Sequence, residues 1–196
     1  SLSDKTWVFA HIQTDGKGRR GRVWIDPIGN FACTCVFFPK TTIDKFALSS
    51  FTAALSLYDS LDYFGESKAN ISIKWPNDIL LNEKKVAGIL LETIALGQNK
   101  AALSIGFGVN LLSYPETSEL EENAFSPTSF LAETGITLDP IVLLKNLALN
   151  FSKYEGTLKA KGFSELRNIL LSRIHKLGDQ IVVKTTSATF NGRFLD

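Results

Sequence analysis

Residues 71–110 have the sequence ISIKWPNDILLNEKKVAGILLETIALGQNKAALSIGFGVN, and this stretch decides the fold. It contains four runs rich in β-branched and other apolar residues, at 71–75, 79–82, 85–94 and 102–110. Only a few turn-forming residues separate one run from the next. Parallel strands need a long crossover connection, whereas short turns join antiparallel neighbours. The stretch therefore predicts an antiparallel meander of strands.

The rest of the chain adds two strands and several helices. The segments WVFAHI (7–12) and FACTCVFF (31–38) are rich in aromatic and β-branched residues, which predicts strands. Between residues 42 and 64 apolar side chains recur at intervals of three to five and Gly65 follows, which predicts an amphipathic helix. Helical periodicity recurs in three later segments, 128–134, 140–161 and 163–174. We expect an α+β fold, with a mixed, largely antiparallel sheet flanked by helices.

Strand patterns return after Gly178, over residues 180–185 and 188–196. Two strands do not form a stable module by themselves. We therefore expect one large domain over residues 1–176 and the beginning of a small, incomplete β-domain over 177–196. The first four residues also look like an interior point of a longer chain, so we expect truncation at both ends.

Composition narrows the class of protein. The chain has 196 residues, 44% of them hydrophobic, which is enough for one sizeable globular domain. Its 21 basic and 20 acidic residues give a net charge of +1, and this balance argues against a broad nucleic-acid-binding face. No apolar stretch approaches the ~20 residues of a membrane span.

Cys33 and Cys35 are too close for an unstrained disulfide, so we expect reduced, buried thiols and a cytoplasmic setting. His11 and His175 show no metal-binding or triad pattern.

Residues 16–22, GKGRRGR, put four cations and three glycines into seven positions. Glycines let backbone N–H groups point at an anion, and arginine offers a fork of donors that matches phosphate and carboxylate oxygens. The simplest interpretation is a mobile loop that grasps an anion. A solvated basic turn and a patch for a nucleic-acid backbone are the alternatives.

Three other segments carry candidate chemistry. Lys74–Asp78 (KWPND) places a cation before a turn, although a well-formed hairpin turn explains it equally simply. Lys85 begins an apolar strand in which Gly88 permits close approach of a ligand, and a solvated lysine at a strand end is the alternative. Residues 106–110, GFGVN, repeat the pattern of glycines in a strand. Cations and amides without a triad or a carboxylate pair suit attack of a carboxylate on the α-phosphate of a nucleotide.

The order of these motifs resembles that of biotin protein ligases, the biotin-[acetyl-CoA-carboxylase] ligases of bacteria. The motifs are QTxGKGRRGRxW, KWPNDILL, KxAGILLE and GxGxN, and the resemblance covers residues 7–110 and, more weakly, the strands after Gly178. It implies the catalytic fold that biotin ligases share with lipoate ligases and class II aminoacyl-tRNA synthetases, here over residues 1–176. It also implies that residues 177–196 begin an SH3-like domain.

The resemblance implies a ligase that uses ATP, Mg²⁺ and biotin to make biotinyl-5′-AMP and pyrophosphate. Biotin is then transferred to a specific lysine of a biotin carboxyl carrier protein. Homodimers are common in such a family, and neither a membrane nor nucleic acid is an expected partner of this chain. A lipoate or octanoate transfer enzyme of the same fold and a non-catalytic binding module are the alternatives.

The resemblance also assigns residues. The catalytic set is Lys85, Arg19 and Asp78, with Lys85 contacting both the biotin carboxylate and the α-phosphate and Asp78 orienting the carrier lysine or the metal. Expected contacts to biotin or its adenylate come from Gln13, Gly16, Lys17, Arg19, Arg20, Lys85 and Gly88. The expected nucleotide contacts are Trp24, Asn77 and Asn110. Mg²⁺ is expected near Asn110, without direct protein ligands.

One departure from the resemblance concerns biotin itself. Biotin ligases carry a Ser-Thr-Asn type segment upstream of the basic loop that holds the ureido ring, and nothing before Trp7 matches it. We expect the chain as given to bind biotin poorly or not at all.

Overall fold

A six-stranded antiparallel sheet forms the centre of the computed structural model, which describes residues 5–39, 41–42, 45–97, 100–116, 125–184 and 188–195. The strand order is β1-β2-β6-β5-β4-β3. The bounds are β1 Thr6–Ala10, β2 Phe31–Phe37, β3 Ile71–Lys74, β4 Asp78–Leu81, β5 Lys84–Gly97 and β6 Lys100–Val109. Strands β3 to β6 are consecutive neighbours, so the predicted meander is confirmed.

In the described part of the chain, four helices flank this sheet: α1 Leu48–Gly65, α2 Phe130–Thr134, α3 Pro140–Lys161 and α4 Phe163–Leu171. The core joins one face of the sheet to α1, α3 and α4. Trp7 of β1, for example, stacks on Phe107 of β6 and meets Phe151 of α3 edge-on, with ring centroids 5.8 Å and 5.7 Å away. The expected α+β architecture is confirmed.

The two cysteines lie in this core. Cys33 and Cys35 are buried and unpaired with each other, as expected. Burial raises the pKa of each thiol to about 12, so both stay protonated at neutral pH.

Three predicted helix boundaries were wrong. Helix α1 begins at Leu48 and not at residue 42, because tight turns precede it: the Lys45 N–H donates to Thr42 O and the Ser49 N–H to Phe46 O, each at 3.0 Å. Helix α2 begins at Phe130 and not at residue 128, because the preceding residues pair with β5. Helix α4 ends at Leu171 and not at residue 174, because Ile174 forms a parallel bridge with Ile73 of β3.

Ion pairs tie the helical layer to the sheet. Glu155 of α3 accepts from Lys159, at 2.8 Å, and from Lys5 beside β1. Burial alone would raise the pKa of Glu155, but the hydrogen bonds and charges of these two lysines outweigh it and lower the pKa below its usual value. The pair of bonds therefore favours the folded chain wherever Glu155 is ionised.

The C-terminal strands β7 Gln180–Lys184 and β8 Thr189–Arg193 form a separate antiparallel sheet. This agrees with the strand patterns after Gly178, and a two-stranded sheet here is consistent with the start of an SH3-like domain. The division into residues 1–176 and 177–196 stays a prediction. Among the described residues, no helix has the length and apolar character needed to cross a membrane.

Candidate active site

A cleft of about 1360 Å³ lies against the face of the sheet that the helices leave open. The basic loop, the turn between β3 and β4, strands β5 and β6, and strand β7 line it. Side chains alternate between the two faces of a strand, and the positions that face this cleft are Gly88, Leu90 and Glu92 of β5 and Ser104, Gly106 and Gly108 of β6. The described lining contains seven basic side chains and only three acidic ones: Lys17, Arg19, Arg20, Arg22, Lys74, Lys85 and Lys176 against Asp15, Asp78 and Glu92. The cleft therefore favours an anionic ligand.

Two glycines form the floor of the cleft beneath Trp24. Gly88 of β5 and Gly108 of β6 face each other in register, and we call this pair the glycine floor. A Cβ added at Gly108 would lie 2.5–2.8 Å from three atoms of the Trp24 indole, and one at Gly88 would lie 3.3 Å from the same ring. The indole Nε1 is buried without a hydrogen-bond partner. The glycines thus permit close approach, as expected for Gly88, but the group that approaches in this structure is Trp24.

The basic loop is an ordered hairpin. The Trp24 N–H donates to Gly16 O at 2.8 Å, and the Gly18 N–H donates to Arg22 O at 2.7 Å. The hairpin turns through a short 3₁₀ segment, Arg19–Gly21, in which Gly21 has φ 74°. A Cβ at Gly16 would lie 2.3 Å from the Trp24 carbonyl oxygen, so the base of the loop requires glycine.

The loop meets the turn between β3 and β4 over a cluster of charges. Arg19 Nη1 donates to Asn77 Oδ1 at 3.1 Å. The next residue, Asp78, is buried and accepts from Lys85 Nζ at 2.9 Å and from Lys74 Nζ at 3.2 Å. Lys85 Nζ also lies 5.6 Å from the centre of the Trp24 ring. Two lysines thus share one carboxylate at the edge of the glycine floor, and the cluster carries excess positive charge.

Asn110 follows β6 at the same end of the cleft and is buried. Its Nδ2 donates to Thr128 O at 3.0 Å, and its backbone N–H donates to Val86 O at 2.9 Å. The amide nitrogen uses one of its two N–H donors on Thr128, so the amide oxygen and the second N–H remain to serve a ligand.

Gln13 lies just before the basic loop and borders the cleft. Its backbone N–H donates to the Asp26 carboxylate. Burial raises the pKa of Asp26, and this hydrogen bond opposes the rise only in part. Asp26 Oδ1 is buried without a partner.

Comparison with known proteins decides the family. The family model described as the biotin/lipoate A/B protein ligase family matches residues 1–110. The chain belongs to this family. A relative extends the match over nearly the whole chain. The chain is 44% identical over 193 residues to the biotin-[acetyl-CoA-carboxylase] ligase of Paracoccus denitrificans. That match covers 98% of the chain and 80% of the relative.

Other members of the biotin/lipoate ligase family match over a similar range. The chain is 31% identical over 195 residues to the bifunctional ligase/repressor BirA of Bacillus subtilis. This match covers 97% of this chain but 58% of that relative. A solved biotin protein ligase from Aquifex aeolicus in complex with biotin and ATP superposes with a TM-score of 0.81 at 27% identity. That match covers 98% of this chain and 78% of the other. The expected biotin ligase fold is confirmed.

The structure brings the predicted residues of this family member together. Ten of them line one cleft: Gln13, Lys17, Arg19, Arg20, Trp24, Asn77, Asp78, Lys85, Gly88 and Asn110. Gly16 is buried at the base of the loop. Lys17 is exposed and pairs with Asp15 at 3.3 Å. Their roles toward a ligand stay predictions.

Sequence reasoning gave no role to Lys74 or to strand β7, although both border the cleft. The signal for Lys74 was present, because Lys74 and Asp78 are register partners across the β3–β4 turn and so face each other. No comparable signal exists for His175, which lies beside Phe125 with ring centroids 6.1 Å apart. Residues distant in the chain reach this rim only through the fold.

Proposed function

We propose that the chain is an ATP-dependent biotin protein ligase, which activates biotin as biotinyl-5′-AMP and transfers it to a lysine of a biotin carboxyl carrier protein. The support is twofold. The Paracoccus relative carries this activity in its name, and the Aquifex structure that shares the fold holds biotin and ATP. The cationic cleft fits the two anions of the first step.

The observation that carries the proposal is the placement of Lys85. Its ammonium lies at the edge of the glycine floor, next to Asp78 and below the loop that carries Arg19. An ammonium group has three N–H donors. Asp78 accepts one, so two remain for oxygens of a carboxylate and a phosphate. Lys85 is thereby suited to hold the two reacting anions against their mutual repulsion.

In the first step a carboxylate oxygen of biotin attacks the α-phosphorus of ATP. The bond from that phosphorus to the bridging oxygen breaks, and pyrophosphate leaves with the electron pair. Because the carboxylate is already ionised, the step needs no general base. It needs two like charges to be brought together, and Lys85 and Arg19 supply the positive charge for this.

In the second step the neutral amine of the carrier lysine attacks the carboxyl carbon of the adenylate. An amide bond forms, the acyl–oxygen bond breaks and AMP leaves with the electron pair, while the nitrogen gives its surplus proton to water. Asp78 lies beside this position, and its carboxylate orients the incoming amine through a hydrogen bond. The carboxylate accepts one bond on each oxygen from Lys74 and Lys85, and each oxygen keeps a second lone pair for the amine.

The basic loop closes the site in this proposal. The Arg19–Asn77 hydrogen bond joins this loop to the turn between β3 and β4. A loop held over the adenylate would exclude water, which would otherwise hydrolyse the mixed anhydride. Trp24 at the glycine floor must then share this space with the ligand.

Mg²⁺ is part of the proposal through the nucleotide. The described residues contain no group of three or more His, Cys, Asp or Glu side chains that could hold a metal ion. Mg²⁺ commonly keeps few protein ligands and binds substrate phosphates, which matches a cleft with the amide oxygen of Asn110 at one end. The ion would neutralise phosphate charge when bound.

The setting and assembly are also proposals. The buried, protonated thiols of Cys33 and Cys35 support a cytoplasmic location. A homodimer is proposed from the family resemblance alone.

The test is direct transfer to a carrier. The purified full-length protein, biotin and Mg·ATP are incubated with a purified biotin carboxyl carrier domain, and the carrier is analysed by intact mass and peptide mapping. We expect one biotinyl group on one lysine, dependent on ATP. Lipoate and octanoate serve as control acids, and attachment of either in place of biotin would refute the assignment of substrate.

A further inference from the structure

One short segment at the border of the cleft, which it lines through Pro127, fixes two of the predicted site residues. The Lys85 N–H donates to Ser126 O at 2.8 Å, and the Thr128 N–H donates to Lys85 O at 2.9 Å. Residues 126–128 therefore form a parallel bridge along the start of β5. We call residues 126–128 the strap.

The strap also holds Asn110. The Thr128 carbonyl oxygen accepts from Asn110 Nδ2 at 3.0 Å, and the next-but-one residue, Phe130, donates its N–H to Asn110 O at 2.8 Å. A displacement of Thr128 would thus move Lys85 and Asn110 together. These are the residues proposed to act on the α-phosphate and on the nucleotide.

Glu133 holds the strap from the side away from the cleft. Its Oε1 accepts from Thr128 Oγ1 at 2.6 Å and from Lys84 Nζ at 3.0 Å, and its Oε2 accepts from Asn82 Nδ2 at 2.7 Å. The Glu133 side chain is only 10% exposed, and it does not line the cleft. One carboxylate therefore connects helix α2, the strap and the β4–β5 turn.

The charge of Glu133 also separates two adjacent lysines. Neighbouring side chains of a strand point to opposite faces, so Lys84 reaches Glu133 while Lys85 reaches Asp78. Burial alone would raise the pKa of Glu133, but the bonds from Thr128, Asn82 and Lys84 outweigh it and lower the pKa. Glu133 is ionised at neutral pH and a strong acceptor for Thr128.

We propose that Glu133 is a positioning residue for the adenylation step: through the Thr128 hydroxyl it fixes the strap that sets Lys85 and Asn110. The inference rests on the proposed function, since it takes Lys85 to be the group that acts on the reacting anions. Small displacements matter for such a group, because about 1 Å of misplacement costs about 10²-fold in rate.

The sharpest variant is Thr128→Val, which keeps the shape of the side chain and removes the hydroxyl. Thr128→Ser is its matched control, since it keeps the hydroxyl and removes only a methyl group. Glu133→Gln tests the other partner: its new amide N–H₂ group must face either Asn82 or the Thr128 and Lys84 donors. Glu165→Gln is the control for the Glu to Gln change, because Glu165 of α4 forms an exposed ion pair with Lys161.

Two measurements are made on the folded variants. Biotin-dependent exchange of pyrophosphate into ATP gives kcat and KM, and we expect Thr128→Val and Glu133→Gln to lower kcat by about tenfold to 100-fold. KM for biotin should change by no more than about twofold, since uniform binding is kept. Thr128→Ser and Glu165→Gln should stay within about threefold of the unchanged chain. A general loss of stability would not lower kcat while leaving KM unchanged, and the serine of Thr128→Ser would not restore the activity.

Amide hydrogen exchange is the second measurement. We expect the Lys85 and Thr128 amides to exchange at least about tenfold faster in Thr128→Val and Glu133→Gln, with Ile105 of β6 unchanged. Unaltered kcat or unaltered Lys85 protection in both variants would overturn the proposal. If the unchanged full-length protein shows no pyrophosphate exchange, the proposed function fails, and the amide protection then decides the positioning claim separately.

Discussion

Replacing Lys85 by alanine tests the electrostatic core of the proposed mechanism. Lys85 Nζ lies 2.9 Å from Asp78 Oδ1, so an anion on the other side of the same ammonium would lie at a comparable distance. Unit charges about 4 Å apart interact by about 4 kcal/mol at an effective dielectric constant of about 20. The carboxylate is charged before the reaction as well as during it, so only part of this energy favours the transition state. We take about 3 kcal/mol, which is about 100-fold in rate.

The fold should survive this change. Asp78 keeps Lys74 as a partner at 3.2 Å, so its carboxylate does not become an isolated buried charge. The assay is biotin-dependent exchange of labelled pyrophosphate into ATP, with melting temperature as the check on folding. Lys161→Ala, at the exposed end of α3 and outside the cleft lining, is the matched control and should leave exchange unchanged.

Lys85→Arg adds a second control, because it keeps the charge but alters the donor geometry. We expect it to retain more activity than Lys85→Ala and less than the unchanged chain. If a folded Lys85→Ala variant exchanges pyrophosphate within about threefold of the unchanged chain, the reasoning about developing charge is refuted.

Three further predictions follow from the loop, the glycine floor and the helical layer. Arg19→Ala removes the hydrogen bond to Asn77 and should release the adenylate. Mass spectrometry would then detect biotin on lysines of a bystander protein. Retention of the adenylate would show that the loop is not a lid. Gly108→Ala should lower the free energy of unfolding, measured by urea denaturation, by about 1–3 kcal/mol, since the added Cβ overlaps the Trp24 indole. Gly156→Ala, in open space on α3, should raise the free energy of unfolding by about 0.5–1 kcal/mol. Equal effects of the two substitutions would contradict the packing argument. Glu155→Gln should cost stability at pH 7, and because the folded pKa of Glu155 is lowered, this cost should shrink as pH falls below about 4.3 and through the folded pKa. A difference in unfolding free energy that does not shrink as the pH falls would refute the ion-pair explanation.

The strand order near the site could be predicted from the sequence because the determinants are local. Short turns between residues 71 and 110 leave antiparallel pairing as the simple solution, and the structure has that meander. Helix ends were less predictable, because tertiary pairing overrides periodicity. Ile174 continues a helical pattern but leaves the helix to bridge Ile73, which no local signal indicates.

The site residues also divide into those that local sequence signals predict and those that only the tertiary fold brings into place. Residues in contiguous motifs, such as Arg19 and Lys85, were found because their composition is unusual for a packed core. Glu133 is a single acidic residue on a short helix, and its role arises only where α2, the strap and β5 meet. The position of Trp24 on the glycine floor likewise depends on the pairing of Gly88 with Gly108, which the sequence alone does not fix.

The central claim is that the cleft joins a biotin carboxylate to the α-phosphate of ATP. The most direct measurement is exchange of labelled pyrophosphate into ATP by the purified full-length protein with Mg²⁺, comparing biotin, lipoate and no acid. The account predicts exchange with biotin alone, because only formation of the biotinyl adenylate releases pyrophosphate reversibly. Exchange with lipoate and not with biotin, or no exchange with either acid by a folded chain, would contradict it.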